Sequence, residues 1–257
     1  MYRPCLLLTL FCLAPLAFAA NMPNYLADAS VGSWVTTEER IQRGKKTEIV
    51  QVTRSLVGEE TIDGKRHLWM EVKTQNYKTN RKGELKTKGD MGHMKILMDT
   101  SVFDGSFTSG MKNIQKIARK MYIKNGDQVM DMSGGGALAD MLMKASNAEF
   151  NFQTTDLGES REFDTPLGQV TAHKYRAVGG GQMKVLIKTV KIQSEIDMWM
   201  SDKIPFGTVE SHGTSVVNGK SETSTSRILA AGNSGAVSEI DISQAAENPF
   251  SKLKFGK

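Results

Sequence analysis

The chain has 257 residues, a formal net charge of +5, 24 glycines and two cysteines. That length holds one large β domain or two small ones, and the charge excess is too slight to argue for a nucleic-acid partner. Past the amino terminus every apolar run is far shorter than a bilayer span, which excludes a second transmembrane helix.

The amino terminus reads as an export signal. Arg3 precedes an apolar run from Cys5 to Leu16, and Ala17-Phe18-Ala19 puts small residues at the two positions a signal peptidase reads. Cleavage after Ala19 is expected, with delivery to the periplasm and secretion as the alternative. Both cysteines, Cys5 and Cys12, lie in this leader, so the exported part forms no disulfide and relies on its hydrophobic core. Phe11, ahead of Cys12, is bulky where a lipidation signal has a small residue.

Residues 20–232 read as a single β domain. Trp34–Arg43 and a stretch over 46–57 are separated by a turn at Gly44. Asp63-Gly64 makes a tight turn into 66–77, where Leu68, Met70 and Val72 alternate with His67, Trp69 and Glu71. The same parity puts Met94, Ile96 and Met98 on one face. At 107–121 the rhythm changes: Phe107, Met111, Ile114, Ala118 and Met121 fall at steps of four and three. This is a helical stripe, with Lys112, Lys116, Arg119 and Lys120 on its solvated side. Asn125-Gly126 marks another hairpin, with Met130 and Met132 on a common face beyond it. Residues 137–145 form a second helical stripe of Leu138, Met141, Leu142 and Ala145.

Further hairpin signals are Thr165-Pro166-Leu167-Gly168, Gly179 to Gly181 and Asn218-Gly219. In 190–200, Val190, Ile192, Ile196, Met198 and Met200 face one way, and Glu195, Asp197 and Trp199 the other. Pro205 and Gly207 then reverse the chain. Periodicity is lost after Asn233, so 233–257 is expected to be a partly ordered tail. The predicted fold is mainly β: one curved antiparallel sheet, a half-barrel, with two helices against its concave side.

Reactive constellations are sparse. Met91, His93, Met94 and Met98 offer soft donors for Cu(I), but strand parity turns His93 away from Met94 and Met98. HExxH, GxSxG and P-loop patterns are absent. Glu38-Glu39 and Glu59-Glu60 place neighbouring carboxylates on opposite strand faces, where neither pair shares a substrate. No enzyme activity, metal or cofactor is therefore expected. What the predicted inner face does hold is methionine, whose flexible, polarisable thioethers suit irregular apolar spaces and varied ligands.

"TPLGQVTAHKYR" (165–176) and "DMWMSDKIPFGTVES" (197–211) are similar to a two-part signature of poorly characterised exported bacterial proteins. One strand reads PxGxxxxxxYR and a later one ends in WxSxxxPxG. That group resembles the periplasmic lipoprotein-carrier (LolA/LolB/LppX-like) superfamily. The resemblance implies a curved antiparallel half-barrel, helices plugging its open side and an apolar cavity between them. It carries no catalytic residues. The expectation is an exported monomer that binds a lipid or acyl chain, with a membrane surface or envelope protein as a further partner. Cavity walls would be Met70, Met94, Met98, Met130, Met198 and Met200, under a cover of Leu138, Met141 and Leu142. The alternative is a non-enzymatic envelope structural or interaction protein whose core is filled by its own side chains.

Overall fold

A computed structural model of the chain describes residue 25 and residues 29–79, 84–100, 118–133, 149–185 and 188–247. Twelve strands form one sheet: β1 (Trp34–Arg43), β2 (Lys46–Ile62), β3 (Lys65–Thr79), β4 (Leu85–Asp99), β5 (Ala118–Asn125) and β6 (Gln128–Asp131), then β7 (Glu149–Thr165), β8 (Gly168–Val185), β9 (Lys188–Met200), β10 (Thr208–Val217), β11 (Lys220–Gly232) and β12 (Ala246–Glu247). Their order is β12-β6-β5-β4-β3-β2-β1-β11-β10-β9-β8-β7. β1 to β6 make one meander and β7 to β11 another, and the two join along the antiparallel β1–β11 pair. β12 alone pairs in parallel, with β6. The sheet is mainly antiparallel and open, ending at β12 and β7 rather than closing into a barrel.

Local turn chemistry accounts for most hairpins. Asp63 (φ 53°) and Gly64 (φ 73°) join β2 to β3, and Asn218 (φ 51°) and Gly219 (φ 78°) join β10 to β11. Two successive positive φ values give the turn whose twist matches the strands it connects. Gly179 to Gly181 are no hairpin: they lie inside β8. A Cβ on Gly179 would stand 2.6 Å from Phe152 Cα, and one on Gly180 would stand 3.1 Å from Gln193 Cα. These glycines let β7 and β9 close in on β8, a use of glycine that reads like a turn in sequence.

The helix expected over 107–121 is corrected at its end. Ala118 to Met121 belong to β5, with Met121 opposite Ile96 and Lys120 opposite Leu97. Ala118 and Met121 match a helical step, but the run Met121-Tyr122-Ile123 before Asn125-Gly126 is a strand entering a turn. Residues 107–117 lie outside the described residues, as does the stripe over 137–145 with Leu138, Met141 and Leu142. The one described helix is a short 3-10 turn, Ile242–Gln244.

Directly paired residues share a face of the sheet. On one face Val35, Val50, Val52, Leu56, Leu68, Met70, Val72, Ile96 and Met98 form a core with Phe206. Farther along the same face, Tyr175, Ala177, Met198 and Met200 pack with Tyr25 and Phe152. Each large side chain buried there contributes about 1.5–3 kcal/mol. Trp69 and Trp199 point to the opposite face, as parity predicts. Trp199 is half-buried against Phe163 at 5.5 Å, with the Arg161 guanidinium 4.9 Å from its ring.

The turn over 201–207 closes the end of this core. Ser201 N–H donates to the Gly207 carbonyl at 2.8 Å, and Gly207 N–H to that of Ile204 at 2.9 Å. Phe206 holds φ at 65°, which costs about 1 kcal/mol for a side chain of its kind. Burial of its ring among Leu56, Leu68 and Met98 offsets that cost. Ile204, from the same turn, packs with Val170, Ala172 and Val209.

Residues 233–247, the first part of the expected tail, cross the opposite face as a strap. Ser33 Oγ donates to the Asn233 carbonyl and Ala236 N–H to that of Gly32. Ile240, 1% exposed, sits in a cluster with Trp69, Leu97, Tyr122 and Val129, and β12 then lies along β6. Residues 248–257 lie outside the described residues.

Candidate functional site

The methionines singled out from sequence fall in two groups. Met70 and Met98 are buried in the first core, where Met70 pairs with Ile96 and Met98 with Leu68. Met94 packs against that core from its rim, half-buried, paired with Val72 and Ile123. Ile123 pairs in turn with Met130, also half-buried. Met198 and Met200 are 1% exposed and belong to the second core, in β9, five strands along the sheet from β3. Register places all six on one face. Met121, missed in sequence through its assignment to a helix, joins the Met94 rim.

The same face turns polar along the strands. Thr37, Arg54, Thr74 and Asn76 are buried there, in strands that also carry Val35, Val52 and Val72 inward. Arg54 is 3% exposed, with Nη2 3.9 Å from Glu39 Oε1. Burial pushes the Glu39 carboxyl above its ordinary value, and the Arg54 charge opposes the rise. Ser194 and Ser215 share a 2.8 Å hydrogen bond across β9 and β10. The signal was available: in Val50-Gln51-Val52-Thr53-Arg54-Ser55-Leu56, Arg54 keeps step with three apolar residues. An arginine in the apolar phase marks a polar inner surface.

The reverse face contains a buried ionic cluster that anchors the strap. Glu71 is 4% exposed and accepts from Ser238 Oγ, from Glu239 N–H at 2.9 Å and from Ile240 N–H at 3.3 Å. His93 Nε2 lies 3.3 Å from its carboxylate and Lys95 Nζ 3.7 Å. Lys95 also donates to Ser238 Oγ at 2.6 Å and stands 5.3 Å over the Trp69 ring. Lys73 meets Glu239 at 2.6 Å. His93 therefore serves this cluster, on the face opposite Met94 and Met98.

Burial alone would raise the Glu71 pKa, but hydrogen bonds from His93, Ser238 and the Glu239 amide outweigh it and hold the carboxyl below its ordinary value. A depressed folded-state pKa contributes stability fully above the unfolded value, near 4.5, and loses it as pH falls through the folded one. Wild-type melting temperature should therefore drop more steeply than that of Glu71→Gln as pH is lowered below about 4.5. Parallel curves would show that Glu71 does not carry this acid sensitivity.

A scan of protein-family models and a search of curated proteins return no match for the chain. Among solved structures, it is similar to a protein from Bacteroides fragilis described as exported, with a YmcC-like fold, at 12% identity and a TM-score of 0.38, over 79% of this chain and 97% of that one. It is also similar to a protein from Parabacteroides distasonis described as a lipoprotein, at 10% identity and a TM-score of 0.35, over 79% and 96% of the two chains. Likeness at this level assigns neither a family nor an activity.

Proposed function

We propose that the protein is exported through its leader and holds an apolar molecule, a lipid or acyl chain, on the methionine face of its sheet, without catalysing a reaction. A finer feature of the reading, a half-barrel curve of the sheet, belongs to this proposal. Its chief support is the half-buried rim of Met94, Met121, Ile123 and Met130 beside fully buried Met70 and Met98. Adaptable thioethers at a partly open margin suit ligands of varied shape. The leader supplies the case for export, and the periplasm is the destination we favour.

One observation favours the second reading, a structural envelope protein with a self-filled core. Met70, Met98, Met198 and Met200 are each at most 3% exposed, packed among side chains of the chain itself. Native mass spectrometry of the purified mature protein, after delipidating washes and re-exposure to phospholipid, separates the two. The ligand reading expects retained lipid mass in wild type and at least roughly tenfold less in a folded Met94→Asp/Met130→Asp variant, since a charge in an apolar wall costs more than 1.4 kcal/mol. Wild-type protein that takes up no lipid leaves the self-filled core standing.

A further inference from the structure

We propose that one end of the sheet, where its hairpin tips gather, is a docking surface for an anionic phospholipid membrane. Antiparallel register brings these tips together. Arg43 pairs with Lys46 across the β1–β2 tip, and Lys78 with Lys86 near the β3–β4 tip. Gln42 pairs with Thr223, and Val217 with both Lys220 and Ile192, which sets the β10–β11 tip and the start of β9 at the same end. Lys45, Lys46, Lys78, Lys86, Lys88, Lys191 and Lys220 are collected there, and all are exposed.

Their seven charges outnumber the carboxylates that the described residues place at the same end, Glu48, Glu84 and Glu222. Glu48 and Glu222, at the same end, are both taken by Arg43, at 2.8 and 2.6 Å. None of the seven lysines makes an ion pair among the described residues. Lys78 stands directly opposite Lys86, a like-charge pairing that works against the hairpin. A sequence that retains such a conflict at an exposed tip marks a place selected for something other than stability. The other ends of these strands differ: Glu59, Glu60 and Asp63 sit with Lys65 and Arg66 around the β2–β3 turn.

Breadth and residue type point to the partner. From β4 to β9 the lysines span six strand spacings, about 29 Å at roughly 4.8 Å each. That exceeds the Debye length of about 8 Å at physiological ionic strength, so a small anion meets one or two of them. An extended charged surface meets them all. Lysine is a hydrated point charge suited to diffuse attraction by headgroups, whereas bidentate recognition favours arginine. Leu85, 38% exposed next to Lys86, adds an apolar contact that a lipid interface accepts.

The inference does not depend on the opposite property of the sheet, its apolar ligand face. Flotation of the mature protein with phosphatidylglycerol-containing vesicles, against phosphatidylcholine vesicles, tests it. Wild type should bind the anionic vesicles at low salt and weaken as salt rises. Lys78→Glu/Lys86→Glu should bind at least tenfold less, from on the order of fivefold per lysine near an anionic surface. Lys65→Glu/Lys203→Glu changes net charge equally at the other end and should bind as wild type; circular dichroism checks both folds. Equal loss in the two variants, no wild-type binding, or equally tight binding to duplex DNA would each overturn the proposal. None of these results bears on lipid retention in the mass spectrometer, so the two proposals fail separately.

Discussion

Glu71→Leu should lower the stability of the protein by about 3–5 kcal/mol, the cost of breaking a buried charge pair from one side. The substitution leaves Lys95, 8% exposed, without its carboxylate, and removes the acceptor of the Glu239 and Ile240 amides. Glu71→Leu/Lys95→Met should recover part of the loss, because an apolar pair can replace a buried ion pair at little cost. The unrecovered part belongs chiefly to the amide of buried Ile240, at about 1–3 kcal/mol for a donor left without its acceptor. Urea unfolding of wild type, Glu71→Leu, Lys95→Met and the double variant completes the cycle. Hydrogen exchange adds the location: in Glu71→Leu, residues 236–241 should exchange faster while β1, β2 and β11 stay protected. If the double variant is no more stable than the single one, Lys95 is not coupled to Glu71.

Gly179→Val carries the second large effect, expected at about 2–4 kcal/mol by the overpacking mechanism. Its side chain would meet the Asn151 carbonyl and Phe152 Cα, which are backbone atoms that cannot rotate aside. β7 must therefore move off β8 over 149–155, where Phe152 pairs with Gly179 and Asn151 with Gly180. Phe152 also packs against Met198 and Met200, so the second core loosens with it. A comparison variant, Gly126→Ala, meets nothing within 4 Å and feels only its backbone φ of 59°. It should cost about 1 kcal/mol. Thermal melts that rank the two equally would mean that β7 and β8 are not held at the spacing described.

Sequence periodicity recovered the strands wherever one face was apolar and a turn residue was unambiguous. β1, the β2–β3 turn and the β10–β11 turn follow from Gly44, Asp63-Gly64 and Asn218-Gly219 alone. It failed where one residue type serves two ends. Gly179 to Gly181 signalled a turn but act through close approach, which depends on neighbours invisible along the chain. Ala118 and Met121 kept a helical step by coincidence and lie in β5. The strap escaped notice because its stability comes from Glu71, Lys95 and Trp69, more than 140 residues away in sequence. Charged residues in alternate positions read as a solvated face, and only the packed strap makes that face an interior. For the same reason the six methionines could be assigned a common face, while their division between two cores could not.

The seam between the two meanders governs how the chain can fold. Trp34 of β1 pairs with Gly232 of β11, although nearly the whole domain lies between them in sequence. During amino-first synthesis, β1 waits with one edge unpaired until β11 has been made. Loop closure over that distance is a slow, entropically costly step, and such topologies fold in milliseconds to seconds rather than microseconds. An exposed strand edge over that interval is a template for pairing with other chains. The protein is thus most vulnerable to aggregation between synthesis of its first strand and arrival of its last, and a truncation that removes β11 would prolong that interval indefinitely.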